Sequence, residues 1–162
     1  ALVSRQHFDK VVSCIERAKA EGGRVLLGGT IAKVDGRCAS GWFVAPTVIE
    51  GLSPESATNQ EEIFGPVVTL IPFDEDAEAI AIANGTGYGL AASLWTRDLD
   101  RAHRAGAALE FGIVWINCWL VRDLRTPFGG VKSSGVGREG GVDALRFFTE
   151  PKNICIQLGG AR

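Results

Sequence analysis

Phe8, Val11, Val12, Ile15 and Ala18 recur at the i, i+3, i+4, i+7 spacing of one helix face. The spacing predicts a helix over residues 4–21, with Ser4 as N-cap and Gly22-Gly23 as its stop. RVLLGG (24–29) reads as a short buried strand, and residues 30–41 as an exposed loop or hairpin. WFVAPTVIEGL (42–52) reads as a strand in which Pro46 marks an edge or a bulge. GPVVTLIPF (65–73) is apolar and β-branched, a strand. DEDAEAIAIAN (74–84) is a helix with acids at its positive end. GLAASLWT (89–96) is a strand, RDLDRAHRAGAAL (97–109) a helix capped by Asp98, and FGIVWINCW (111–119) a strand. The periodicity ends after Trp119. Residues 120–141 are polar and glycine-rich, 143–148 form a helical turn, and KNICIQL (152–158) reads as a final strand. Strand, helix, strand, helix, strand in succession predicts an α/β fold with a parallel sheet, flanking helices and right-handed crossovers.

Composition narrows the classes. The 162 residues are 46% hydrophobic and 22% charged, enough for one compact domain with a core. Net charge is −2 with both signs interspersed, so neither a nucleic-acid stripe nor a cationic membrane patch is expected. The apolar stretches break well before the roughly 20 residues of a membrane span, and no secretory signal opens the chain. Cys14, Cys38, Cys118 and Cys155 lie far apart, form no C-x-x-C and have neither His7 nor His103 nearby. No metal site follows; free thiols in a reducing cytoplasm do. The chain starts at Ala1 and contains no Met, which suggests a piece of a longer one.

SSGVGREGG (133–141) matches G-x-G-x-x-G at Gly135, Gly137 and Gly140. A dinucleotide fingerprint needs a strand before the glycines and a long helix after them. RTPFGGVKSS precedes them and only one or two helical turns follow, so the loop reads as a tight connector. Lys132, Arg138 and Glu139 are expected to hold it by local pairing.

EEIFGPVV (61–68), NGTGYGLAASLWTRD (84–98), GIVWINCW (112–119), PFGGVKSSGVGREGG (127–141) and FFTEPKN (147–153) occur in that order. Together they resemble the C-terminal part of an NAD(P)-dependent aldehyde dehydrogenase. INCWLVRDLRTPFGG is similar to the branch acting on 2-aminomuconate and 2-hydroxymuconate semialdehydes. The resemblance implies a partial catalytic domain at 1–148 and an oligomerisation strand at 149–162. It also implies that the Rossmann cofactor domain, the glutamate base and the nucleophilic cysteine belong to a preceding stretch outside this chain. In such enzymes a thiolate attacks the aldehyde, hydride passes to nicotinamide and water releases the acid.

Glu62 can accept from two neighbouring hydroxyls at once, which suits a ribose diol; the alternative is a solvated surface acid. The resemblance assigns it to the nicotinamide ribose and places Phe64 beside the same group, where core packing is the rival reading. Gly65-Pro66 would fix the turn that aims both, and Glu61 belongs to the surface. Arg122 can clamp a carboxylate bidentately, as a muconic semialdehyde would require; a structural pair with Asp123 or a plain surface charge is the alternative. Phe128 and Trp119, with Leu120 beside them, are candidates for the aldehyde pocket or for core. Asn117 is expected to satisfy backbone groups rather than touch substrate. Cys118 is the least implausible of four poor candidates for a nucleophile.

The implied cofactor is NAD, with NADP not excluded, and the implied partners are a small-molecule aldehyde and further copies of the chain, as dimer or tetramer. The 162 residues alone are expected to be inactive. A non-catalytic oligomerisation or interaction fragment is the competing reading, and a free-standing dinucleotide binder at 135–140 a third.

Overall fold

The structure, a computed structural model, describes residues 1–159. The chain divides into two compact units, Ala1–Thr86 and the residues from Gly87 onward.

The first unit is built on helix α1 (Arg5–Ala20). Ser4 caps it as expected, its hydroxyl accepting from the His7 amide at 3.1 Å. Phe8, Val11, Ile15 and Ala18 are buried, joined by Cys14. Phe8, Val11 and Ile15 pack with Val44, and Ala18 packs with Ile49 and Leu52. Strands β1 (Arg24–Leu27), β2 (Thr47–Glu50) and β3 (Val67–Leu70) form a sheet in the order β1-β2-β3. β2 and β3 are parallel, with Thr47 opposite Val67, whereas β1 and β2 are antiparallel. A short helix α2 (Ala57–Gln60) precedes β3, and α3 (Asp76–Asn84) follows it with Asp76 and Glu78 in the first turn.

In the second unit, strands β4 (Ala91–Leu94) and β5 (Ile113–Ile116) pair in parallel across helix α4 (Leu99–Ala108). Asp98 caps α4 through the Arg101 amide at 2.9 Å, and that hydrogen bond lowers its carboxyl pKa. Ala102 and Ala105 are the buried face of α4. Helix α5 (Gly141–Phe147) comes after the glycine-rich loop.

Three expectations are corrected. The first sheet is not wholly parallel: β1 runs antiparallel to β2, whereas β2–β3 and β4–β5 are parallel as expected. β1 is not buried: Leu26 and Leu27 are exposed, because it is the outer strand of its sheet. Pro46 does not mark an edge: it stands just before β2, the central strand, where no ladder amide is lost, while the β1–β2 register shifts between Val25 and Leu27, the bulge alternative. Residues 149–159 pair with no described part of this chain, so the strand expected at 149–162 would have to find its edge on another subunit; the remainder of that stretch lies outside the described residues. No helix among the described residues is long and apolar enough to cross a membrane.

Candidate functional site

The turn between α2 and β3 carries Glu62 and Phe64. Side chains alternate along it. Glu61 turns to Arg17, with Oε2 at 2.8 Å from Nη1, and this ion pair raises the Arg17 pKa. Glu62 is exposed, and among the described residues its carboxylate has no hydrogen-bond or ion-pair partner. Ile63 packs into the Phe8–Val11–Ile15–Val44 cluster. Phe64 is 73% exposed and adopts φ +59°. The core-packing alternative for Phe64 therefore does not describe this chain. A phenylalanine in the left-handed region is strained, and such strain concentrates at ligand sites. Gly65 is required where it stands, because a Cβ there would lie 2.7 Å from Val11 Cγ2. A concavity of about 270 Å³ opens over this turn, lined by Glu61, Glu62, Phe64, Thr58, Asn59 and Thr69 among others. Asn59 Oδ1 is buried without a partner among the described residues.

The entry to this turn is set from the far end of α1. Glu21 accepts from the Thr58 hydroxyl at 2.6 Å and from the amides of Ala57 and Thr58 at 3.1 and 3.3 Å. It thereby caps α2 from a distance of 36 residues in sequence. The Thr58 hydroxyl, above all, holds the Glu21 carboxyl below its ordinary value of 4.5. A pKa lowered by folding contributes stability above the unfolded value, and that contribution disappears as pH falls through the folded one. Wild type should therefore unfold at a higher temperature than Glu21→Gln at pH 7, with the gap closing towards about pH 3. A pH-independent gap in thermal scans would refute the assignment.

In the second unit, the sequence-predicted residues gather around the segment after β5. Asn117, at φ +54°, clasps Thr96 with both ends of its amide: Oδ1 accepts from the Thr96 amide at 2.8 Å, and Nδ2 donates to its carbonyl at 2.7 Å. That is the backbone role the residue type suggests. The buried Trp115 indole donates to Val121 O at 2.7 Å and meets Trp119 edge-on, centroids 5.1 Å apart. Trp119 is itself exposed, as are Leu120 and Val121, and Leu120 sits at φ +55°. Arg122 lies over the Phe128 ring, its guanidinium carbon 4.1 Å from the centroid. Asp123 is not its partner but binds Arg125. Glu139 stands 3.6 Å from Arg122, too long for a hydrogen bond. The guanidinium thus forms a loose ion pair with Glu139 and, among the described residues, makes no hydrogen bond.

The glycine-rich loop folds as a connector. A 3-10 turn at Lys132–Ser134, not a strand, leads into it, and Phe128 and Glu139 exchange backbone hydrogen bonds at 2.8 and 2.6 Å. Arg138 donates to Gly130 O and Gly137 O, and Lys132 pairs with Glu110 at 2.9 Å. Gly137 sits where a Cβ would meet the Phe147 ring at 2.5 Å. A cavity of about 230 Å³ lies between this loop, Phe128 and Phe147–Phe148.

Of the four thiols, Cys14 is buried in the core, Cys38 and Cys155 are exposed, and Cys118 is partly buried behind β5. Residue-by-residue reading missed the Glu21 cap, Asn59 and the contacts from α1. A polar residue recurring beside the apolar stripe of α1 was the available signal.

The sequence matches the aldehyde dehydrogenase family over residues 1–154. It is 50% identical to 2-hydroxymuconic semialdehyde dehydrogenase of Pseudomonas sp. (strain CF600), over 97% of this chain and 32% of that protein. It is 49% identical to 2-aminomuconic semialdehyde dehydrogenase of Danio rerio, over 97% of this chain and 33% of that one. The indole-3-acetaldehyde dehydrogenase of P. syringae, solved with NAD+ bound, superposes with a TM-score of 0.90 at 41% identity, covering 98% of this chain and 31% of its own. The chain spans about a third of the length of the curated relatives it matches.

Proposed function

Because the chain belongs to the aldehyde dehydrogenase family, whose members are NAD(P)-dependent oxidoreductases, we propose that it forms part of an enzyme oxidising a muconic semialdehyde to its acid. The substrate read from the site and the relatives is 2-aminomuconate or 2-hydroxymuconate semialdehyde. These residues supply the nicotinamide-riboside wall and the substrate-carboxylate wall, and no thiol among them takes the nucleophile's role.

The observation that carries the reading is the turn at 62–64: an exposed carboxylate without a partner among the described residues, beside an exposed, strained phenylalanine. Those residues fit a riboside. The Glu62 carboxylate can accept from both hydroxyls of a ribose, and the Phe64 ring offers a flat apolar face. When bound, the nicotinamide supplies a hydride acceptor. Glu62 orients it, and Phe64 shields one side from water.

Arg122 is the specificity residue. Its stack on Phe128 fixes the guanidinium plane, and its long contact with Glu139 leaves donors for the carboxylate that a muconic semialdehyde carries and a simple aliphatic aldehyde lacks. In the enzyme containing this segment, Arg122→Ala should lower kcat/KM for the muconic substrate about tenfold, the value of a partly exposed charged pair. Aliphatic aldehydes should be turned over nearly unchanged. Equal losses for both substrates would sink the clamp.

The end of the chain is read as an oligomer contact. Ile154, Ile156 and Leu158 alternate and are exposed, the pattern of a strand awaiting the edge of another subunit. Dimer or tetramer formation and a cytoplasmic location complete the proposal.

A further inference from the structure

Helix α1 carries a second stripe beside its apolar one. His7, Lys10, Arg17 and Glu21 recur at intervals of three, seven and four, all on one helix face. All four reach the segment 57–64. Arg17 and Glu21 hold Glu61 and the start of α2, as described above. His7 Nε2 lies 2.6 Å from the Phe64 carbonyl oxygen, and the imidazole meets the Phe64 ring edge-on with centroids 6.2 Å apart. Lys10 Nζ donates to the Glu62 carbonyl at 2.9 Å.

We propose that this stripe is a template for the cofactor turn, with His7 and Lys10 as positioning residues that hold Glu62 and Phe64 in their binding conformation. The inference rests on the assignment of those two residues to the nicotinamide riboside. A carbonyl oxygen only accepts, so the imidazole nitrogen facing it must carry a proton. That donor bears on the one residue of the turn whose φ is unfavourable. A left-handed phenylalanine persists only where its surroundings over-determine it. Here the Glu62 carbonyl, two residues earlier, is held by Lys10, the Phe64 carbonyl by His7, and Ile63 between them is anchored in the core. His7 and Lys10 each meet a backbone oxygen of the turn and not the Glu62 carboxylate, which stays open to a ligand. The clasp thus fixes the direction of the side chains without occupying them.

The test uses the full enzyme that carries this segment. Amide exchange at Glu61 and Val67, whose bonded amides bracket the turn, read without nucleotide, should quicken about tenfold in His7→Ala, the scale of one lost hydrogen bond to a local opening. Exchange at the buried positions 14–18 should not change. The KM for NAD should rise while the KM for aldehyde stays. His7→Gln, whose amide can donate at similar reach, should restore both readouts. Lys10→Met keeps the aliphatic stem and should act in the same direction as His7→Ala, which covers the case of α1 unravelling in that variant. Unchanged exchange at Glu61 and Val67 in either variant would overturn the clasp. Failure of the wild-type enzyme to bind NAD would instead sink the riboside assignment and leave the exchange result standing.

Discussion

Glu62→Gln should weaken equilibrium binding of NAD to the full enzyme about a hundredfold, since two charge-assisted hydrogen bonds to a ribose become neutral and one of the two acceptors becomes a donor. The substitution changes charge and hydrogen-bond type at almost constant size. It also leaves the fold alone: the carboxylate is exposed and has no partner among the described residues, so its removal strands no buried group. The melting temperature without nucleotide should therefore match wild type. Loss of binding at constant stability separates a ligand contact from a structural acid. Binding within twofold of wild type would remove Glu62 from the site, and with it the main support for the cofactor wall. Glu61, one residue earlier, is the natural control. Its carboxylate is engaged by Arg17 in a part-exposed pair, so Glu61→Gln should cost little in nucleotide binding.

The largest loss of stability is expected from Gly112→Ala. A Cβ at Gly112 would lie 1.6 Å from Gly129 O and 2.7 Å from the Gly129 carbonyl carbon. Nothing flexible can yield there, because the obstacle is backbone. Gly112 and Val131 both donate to Gly89 O at 3.0 Å, so three stretches of main chain cross at this point. A Cβ at Gly89 would meet Val131 Cγ2 at 2.5 Å, which shows how tightly they pass. Adding one methyl should destabilise by about 3 kcal/mol, the upper range of overpacking. The displaced segment contains Gly129, next to Phe128, so the Arg122–Phe128 stack should loosen too. Gly36→Ala provides the comparison. No atom lies within 4 Å of its Cβ, and only its φ of +70° opposes the change, at a cost of about 1 kcal/mol. Urea midpoints for the two variants decide the matter; an equal shift in both would show that the crossing relaxes freely.

Much of the site could be read before the fold. Ser4 and Asp98 act as the caps their positions predict, because a cap depends on residues only three apart. The connector reading of Gly135, Gly137 and Gly140 also followed from order along the chain: the strand that a phosphate loop needs was missing from the sequence itself. Glu62, Phe64, Arg122, Phe128 and Trp119 were picked out by motif, and the structure keeps Glu62 and Phe64 on one turn and Arg122 on Phe128. It does not pair Arg122 with Asp123. That pairing was the obvious local guess, but Arg125 reaches Asp123 through both side-chain and backbone donors and holds it.

The sequence by itself determined the helices α1, α3 and α4, the apolar cores of the strands and the family, since each is written in residues a few positions apart. Only the tertiary structure decided that β2 is central, that β1 runs antiparallel to it, that Glu21 caps a helix 36 residues away, and that Phe64 and Leu120 adopt left-handed backbone without being glycine. The reason is range. Periodicity and capping are local energies that a short window contains, whereas strand partners and tolerated strain are set by atoms that chain folding brings from tens of residues away.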